Sequence, residues 1–322
     1  MFFSIIIPVY NRPDEIDELL ESLSRQIYKN FEVIVVEDGS TLKCDYIIEK
    51  YKNILNIKYY YKKNEGQGFA RNYGFERATG DYFVIFDSDC IIPENYLQIV
   101  NDRLEKEWLD AYGGPDKADD SFTPIQKAIN NSMTSILTTG GIRGSKKRMS
   151  QFHPRSFNMG ISRKVYETTK GFVIPYSGED IEFSIRIIRN GFKVGLIEDA
   201  FVYHKRRATF DKFFKQTHFF GKARINVYKF YKEGLKPIYF LPSLYFLYIV
   251  FCLFLLIVNI KLSGYFFVPL FIFNLAVFIE GAIKAKNLKI GLLTILAANV
   301  QLIGYGIGFL QSFVKRIIFN KN

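Results

Sequence analysis

Three apolar stretches near the end of the chain, at residues 237–260, 262–283 and 288–313, restrict what it can fold into more than any other feature. Each is about twenty or more residues long, the length a helix needs to cross the hydrocarbon core of a bilayer. The mean hydropathy of +0.02 hides this, because it averages two unlike halves. Up to about Arg207, charged and apolar segments alternate as in a soluble α/β domain, and from Pro237 onward apolar residues dominate. The expected organisation is a cytosolic domain at 1–207, a basic amphipathic helix at 208–236, a membrane region of about three helices at 237–313, and a basic tail at 314–322.

The linking segment places Phe210, Phe213, Phe214 and Phe220 among Lys212, Lys215, Lys222, Arg224 and Lys229, a pattern that favours the cytosolic face of a membrane. Residues 261–264 leave room only for a tight hairpin between the first two apolar stretches. Lys284, Lys286 and Lys289 mark the second connection as cytosolic. Three crossings would then put Lys315, Arg316 and Lys321 outside, against the positive-inside preference. Either the rule yields here, or the segment bearing Gly304, Gly306 and Gly308 is re-entrant. Glu280, near the cytosolic end of the second stretch, is expected to pair with Lys284 one turn on. Gly304 and Gly308 allow close helix packing, within the protein or between copies in a homo-oligomer.

The formal charge of +11 points to a phosphate-bearing partner, an anionic membrane surface, or both. Nucleic acid is not expected, since no helix-turn-helix, zinc-finger or aromatic-basic platform pattern is present. Cys44, Cys90 and Cys252 lie far apart, without CxxC or metal-site spacing, so no disulfide framework is implied and a cytosolic setting fits. Residues 1–9 contain Pro8 and no basic leader, so they read as a first strand rather than a signal peptide.

In the front half, residues 3–9 form an expected strand, followed by an amphipathic helix from Asp14 to about Tyr28 on Ile16, Leu19, Leu20, Leu23 and Ile27. A second strand at 31–36 runs into Glu37-Asp38-Gly39-Ser40, and a third is expected at 57–61. Strand, helix, strand at this spacing makes a right-handed unit and a mainly parallel sheet. Tyr82 to Phe86 is an unbroken apolar and aromatic run, read as a strand buried on both faces. It stops at Asp87-Ser88-Asp89, which falls at the carboxyl edge of the sheet, where open α/β folds place ligands. Two carboxylates one residue apart suit a hard divalent cation such as Mg²⁺ or Mn²⁺ holding a diphosphate. A polar turn is the plainer reading of the same residues. Gly66 and Gly68 allow close backbone approach before a helix whose first turn carries Arg71.

Further on, Thr123-Pro124 caps a helix with Ile125, Ile129, Met133, Ile136 and Leu137 on one face. The basic, glycine-bearing stretch at 143–148 reads as a solvated loop, with a loop closing over a diphosphate as the alternative. Ser177-Gly178-Glu179-Asp180 opens a helix ending at Gly191, with Ser177 and Asp180 at capping-box spacing. Short strands follow at 193–197 and 200–203, and His204 ends the second.

Taken together, residues 4–11, Val36 to Ser40, Asn64 to Gly74 and Asp87-Ser88-Asp89 resemble glycosyltransferase family 2 over roughly 3–205. The resemblance implies a GT-A fold, with a mixed, mainly parallel sheet, and an inverting, nucleotide-sugar-dependent transferase, here followed by a transmembrane helical region. It implies that Pro8 and Tyr10 border the nucleoside and that Asp38, with Glu37, hydrogen-bonds the base. Gly68 and Arg71 lie near the base and diphosphate, and Asp87, Ser88 and Asp89 hold the ribose and a divalent metal. His204 matches a family histidine that joins the metal or diphosphate site, and the 179–180 pair supplies the base. Such a reaction needs a carboxylate to take the acceptor proton, and one at a helix N-terminus is kept ionised, which favours Asp180, with Glu179 orienting the acceptor or a loop.

The expected donor is a UDP or GDP sugar. The expected acceptor is a lipid-linked glycan or other membrane-proximal hydroxyl, in cell-envelope polysaccharide biosynthesis. A polyprenyl-phosphate sugar synthase is the alternative enzyme. A processive synthase is disfavoured, because Gln216 is followed by Thr217-His218-Phe219-Phe220 rather than by Gln-x-x-Arg-Trp. An inactive nucleotide-sugar-binding membrane scaffold is the alternative of another class.

Overall fold

The computed structural model describes residues 1–119, 121–140, 152–232 and 235–320. They form two compact units, Met1–Asp119 with Ser150–Lys205, and Asp120–Met149 with Arg206–Asn322. The sequence carries no sign that 120–149 groups with the apolar segments. The basic stretch at 143–148 lies outside the described residues.

The first unit begins with β1 (Phe3–Val9), α1 (Pro13–Ser24), β2 (Phe31–Asp38), α2 (Asp45–Tyr51), β3 (Ile57–Lys62), α3 (Gln67–Phe75) and β4 (Tyr82–Phe86). Then come β5 (Cys90–Ile91), α4 (Tyr96–Lys106), β6 (Ala111–Gly113) and β7 (Asp116–Lys117). The seven-stranded sheet is completed from later segments of the chain. In the second unit, α5 (Pro124–Thr134) and α6 (Ile136–Thr139) come first. The chain then returns to the first unit with β8 (Asn158–Ser162), α7 (Arg163–Thr169), α8 (Glu179–Arg189), β9 (Val194–Leu196) and β10 (Val202–His204).

The main sheet runs β3-β2-β1-β4-β8-β6-β9. β1 is parallel to β2 and β4, β2 to β3, and β6 to β9, whereas β8 is antiparallel to β4 and β6. This is the mixed, mainly parallel sheet expected. A small second sheet pairs β10 with β5 and β7. Every residue of β1, β2, β4 and β8 is buried, because helices cover both faces. Alternation sorts the strand residues into two cores. Ile5, Ile7, Val33, Val35, Val84 and Phe86 meet α1, α2 and α4, while Ile6, Ile34, Val36, Phe83 and Ile85 meet α3, α7 and α8.

Several boundaries differ from expectation. The first helix stops at Ser24, and α2 falls between the second and third strands, where no helix is expected. Thr123 does form a capping box with Gln126, but α5 ends at Thr134. Ser135 then caps a separate turn, leaving Ile136 and Leu137 exposed rather than on the face of Ile129 and Met133. The Ser177–Asp180 capping box does not form. Gly178, in the left-handed region at φ 98°, occupies the N-cap of α8, and no side chain caps it.

The second unit continues with α9 (Phe210–Phe230), a 3₁₀ turn at Pro237–Phe240, α10 (Leu241–Val258), α11 (Ile260–Ala285) and α12 (Leu288–Phe313). Three helical segments, Pro237–Val258, Ile260–Ala285 and Leu288–Ile318, are long and apolar enough to cross a membrane. The hairpin between α10 and α11 is tighter than expected, with Asn259 alone joining them and capping α11 through Leu262 N–H. Glu280 pairs with Lys284 at 2.6 Å and also accepts from Ser135. α12 is helical straight through Gly304, Gly306 and Gly308. A Cβ on Gly304 would strike Thr217 and Phe214 of α9, one on Gly308 the His218 carbonyl, and one on Gly221 the Tyr305 carbonyl. The small residues therefore serve packing of α9 along α12 within one chain. Gly308→Leu is expected to lower stability by about 1–3 kcal/mol, the scale of overpacking, read as a fall in thermal midpoint of the detergent-purified protein.

Candidate active site

Because β1, β2 and β4 are parallel, the residues that follow or end them share one edge of the sheet. Arg12 follows β1, Asp38 ends β2, and Asp87-Ser88-Asp89 follows β4. From the other part of the fold, α8 brings Glu179 and Asp180 in its first turn.

Arg71 joins these groups. Its side chain is fully buried, with Nη2 2.7 Å from Asp87 Oδ1 and Nη1 3.2 Å from Glu179 Oε1. Burial opposes its charge, but Asp87 and Glu179 outweigh burial, and its pKa lies above the ordinary arginine value. The guanidinium also stands 5.3 Å over the Phe172 ring. Glu179 accepts a second hydrogen bond from Gln67. Burial, then the neighbouring Asp180, raises the Glu179 pKa, and Arg71 holds it back.

Asp38 is tied into the same set through the turn that opens α3. Its Oδ2 accepts from Gly66 N–H at 2.8 Å and its Oδ1 from Glu65 N–H at 3.0 Å, with Lys62 Nζ also at 3.0 Å. Asp38, the 65–67 turn, Glu179, Arg71 and Asp87 thus form one hydrogen-bonded chain from β2 to α8. Gly66 is needed for that turn, at φ 99°, and a Cβ there or on Gly68 would meet the backbone of Ile174 or Pro175. Glu37 does not join this set. One residue along a strand reverses the side-chain direction, so Glu37 faces the opposite core, where it accepts from Cys44 N–H and Tyr59 Oη. Burial, and then Glu37, push the Cys44 thiol pKa up. Pro8 pairs across β1 and β2 with Val36, and Tyr10 is exposed just beyond the strand.

Asp89 is nearly buried between two basic groups, with Oδ2 2.6 Å from Arg12 Nη1 and Oδ1 3.1 Å from His204 Nε2. Burial lowers the Arg12 pKa, and Asp89 more than restores it, leaving it above the ordinary value. His204 stacks on Phe157 at 4.9 Å between ring centroids, and its Nδ1 lies 3.9 Å from Asp116 Oδ2. Among the described residues, Asp89, Cys90 and His204 place one ligand atom each within 4.8 Å of the others. The carboxylate and imidazole suit a divalent cation such as Mn²⁺, and burial, followed by Asp89 and Asp87, raises the Cys90 thiol pKa well above its usual value. Ser88 is buried between the two aspartates.

Asp180 Oδ2 is 3.1 Å from Arg155 Nη1, and its Oδ1 accepts from Ile181 N–H. Its carboxylate therefore sits over the start of α8 without capping it. Arg12, Gln67 and Arg155 each hold one of the expected acidic residues, and sequence reading missed all three. Arg12 carried a signal, standing two residues after Tyr10 in the same turn; Gln67 and Arg155 carried none.

A mixed sheet with an acidic carboxyl edge of this kind defines the GT-A class of sugar-nucleotide folds. The chain belongs to glycosyl transferase family 2, whose pattern matches residues 4–169. One relative, a dolichyl N-acetyl-alpha-D-glucosaminyl phosphate 3-beta-D-2,3-diacetamido-2,3-dideoxy-beta-D-glucuronosyltransferase of Methanococcus voltae, is 26% identical over 239 residues, 69% of this chain and 73% of that protein. Other curated glycosyltransferases match over 96 residues at 41–43% identity, 30% of this chain and only 14–16% of their own length. Among solved structures, Staphylococcus aureus TarS 1-349 in complex with UDP-GlcNAc superposes with a TM-score of 0.51 at 24% identity, over 70% of this chain and 67% of that one. The mannosyltransferase PcManGT from Pyrobaculum calidifontis, in complex with GDP-Man and Mn²⁺, gives 0.54 at 17% identity, over 70% and 64%. These two likenesses establish the fold.

Proposed function

We propose that the protein transfers a single sugar, with inversion, from a UDP or GDP sugar to a hydroxyl of a lipid-linked glycan beside the membrane. The observation that carries this reading is the Asp87–Arg71–Glu179 bridge, which draws the Asp-Ser-Asp segment and the Glu179-Asp180 pair to one place. Pro8 and Tyr10 border the nucleoside, Asp38 with the turn it holds faces the base, and Gly68 and Arg71 lie by the diphosphate. Glu37, turned to the other core, supports the strand end rather than the base. Asp87 and Ser88 hold the ribose side of the donor. Asp89, with Asp87 and His204, holds Mg²⁺ or Mn²⁺, which neutralises the departing diphosphate when bound. Asp180 takes the acceptor proton, and Glu179 fixes the loop around it.

The lipid-linked acceptor draws support from the three apolar helices and from the Methanococcus voltae relative, whose name describes transfer to a dolichyl-linked sugar phosphate. An active site held at the bilayer shares a surface with such an acceptor, which lowers the entropic cost of their meeting. The catalytic part, residues 1–207, then faces the cytosol, with 208–236 at the interface and the apolar helices as the multi-pass anchor. Envelope polysaccharide assembly is the setting that fits.

A screen of nucleotide sugars with membrane lipid extract and Mg²⁺ or Mn²⁺ tests this. One donor should be consumed, with sugar appearing on lipid. Asp89→Ala should lose about 10²–10³-fold in kcat, the scale of one lost contact to developing charge. UDP or GDP binding with no turnover of any donor would instead support the inactive scaffold.

A further inference from the structure

The contacts of α12 show how it lies against the α10–α11 hairpin. Asn259 closes one end of the α10–α11 hairpin, so Leu241 and Ala285 mark the opposite, open end. A third crossing that starts at Leu288 must leave from the open end and finish beside Asn259. Early in α12, a Cβ on Gly291 would meet Ala282 and Phe278, while Gly281 faces Thr294. Midway, Asn299 donates to Asn274 Oδ1 at 2.7 Å and accepts from Tyr245 Oη at 2.6 Å. Near its end, Gly306 lies against Pro242 and accepts from Ser243 Oγ at 3.2 Å, and Phe309 meets Phe240 at 4.8 Å between centroids. Both ends of α12 therefore lie beside the open end of the hairpin.

The flank of α12 carries polar partners along the same length. Ser132 of α5 bonds to Gln301 at 2.7 Å, His218 of α9 to Gln311 at 2.8 Å, and Asn226 to Arg316. α9 carries the exposed Lys212 and Lys215, and it starts only a few residues after Lys205, a tether of roughly 18 Å at full stretch. That is too short to cross a bilayer of about 30 Å. If α12 spanned the membrane, it would draw α9 and its lysines into hydrocarbon. Meanwhile Leu288, Leu292 and Leu296, four residues apart on one face, are 71%, 58% and 52% exposed.

We propose that only α10 and α11 cross the bilayer, and that α12 lies across their open end in the interface of the leaflet on the catalytic side. Its partner is the lipid surface. The leucine stripe enters the acyl boundary, and Lys284, Lys286, Lys289, Lys315 and Arg316 meet anionic headgroups. The C-terminal cations then lie on the same side as those of α9, which removes the conflict with the positive-inside preference.

The inference rests on the membrane-anchored reading, and labelling with a membrane-impermeant maleimide separates the two. Cys44, Cys90 and Cys252 are buried and give low background. Single cysteines are introduced by Lys212→Cys, Lys261→Cys and Asn320→Cys in the full chain and probed in intact and permeabilised cells. Asn320→Cys should be modified under the same condition as Lys212→Cys, and Lys261→Cys under the opposite one. If Asn320→Cys sides with Lys261→Cys, α12 crosses and the proposal falls while the anchor stands. If all three behave alike, the hairpin does not cross and the proposal also falls. Release of the protein from membranes by alkaline carbonate would overturn the anchored reading itself.

Discussion

Asp180→Asn is expected to lower kcat for transfer to a hydroxyl acceptor by about 10²–10⁴-fold, the span of general-base catalysis, with the KM for donor nearly unchanged. The substitution keeps size and the Ile181 N–H contact but removes the proton acceptor. Arg71, Asp87 and Glu179 remain in place, so donor binding is preserved. Arg155 lies 3.1 Å from the carboxylate and fixes its position. The kcat-against-KM split separates this role from a structural one. A polyprenyl phosphate acceptor is already an anion and needs no base. Nearly full activity of Asp180→Asn with such a lipid would turn the reading to a polyprenyl-phosphate sugar synthase.

Arg71→Met should be the most destabilising single change in the sheet unit, by about 3–5 kcal/mol, the cost of removing one partner of a buried ion pair. Two carboxylates, Asp87 and Glu179, lose their shared cation, and Glu179 stays buried. Arg71→Lys should recover part of the loss, since one ammonium cannot fork to both acids. The deficit also has a pH sign. Burial, then Asp180, already raises the Glu179 pKa in the folded state. A group raised in this way supports folding fully below its unfolded pKa, and that support is lost as pH rises through the folded one. Without Arg71 the folded pKa climbs further, so the deficit should be smaller near pH 4 than near pH 7, below and above the ordinary carboxylate value of about 4.3. Denaturant unfolding at the two pH values measures it, and an equal deficit at both would mean that removing Arg71 leaves the folded-state pKa of Glu179 unchanged.

The strands of the front half were legible because each is a short apolar run bounded by polar residues, and burial on both faces leaves little ambiguity. Tyr82–Phe86 and its acidic ending fall where the run of residue types puts them. The second strand was legible in place but not in extent. It continues through Glu37 and Asp38, so the two acids face opposite cores instead of acting together. The helix at 45–51 escaped notice because its only signal is a few apolar residues in one or two turns. The Ser177–Asp180 box had the right spacing, but Gly178 in a left-handed conformation makes the turn without it.

The order of residue types along this chain was enough to set the class of fold, the acidic edge of the sheet and the presence of apolar helices, since these depend on local periodicity and length. Tertiary contacts alone decided which groups hold those acids, with Arg12 on Asp89, Arg71 between Asp87 and Glu179, and Arg155 on Asp180. They also decided that Gly304 and Gly308 of α12 receive α9, and that the end of α12 lies beside the start of α10. Partners such as Arg71 and Glu179 lie 108 residues apart in the chain, and no local pattern records a pairing that only the closed core enforces.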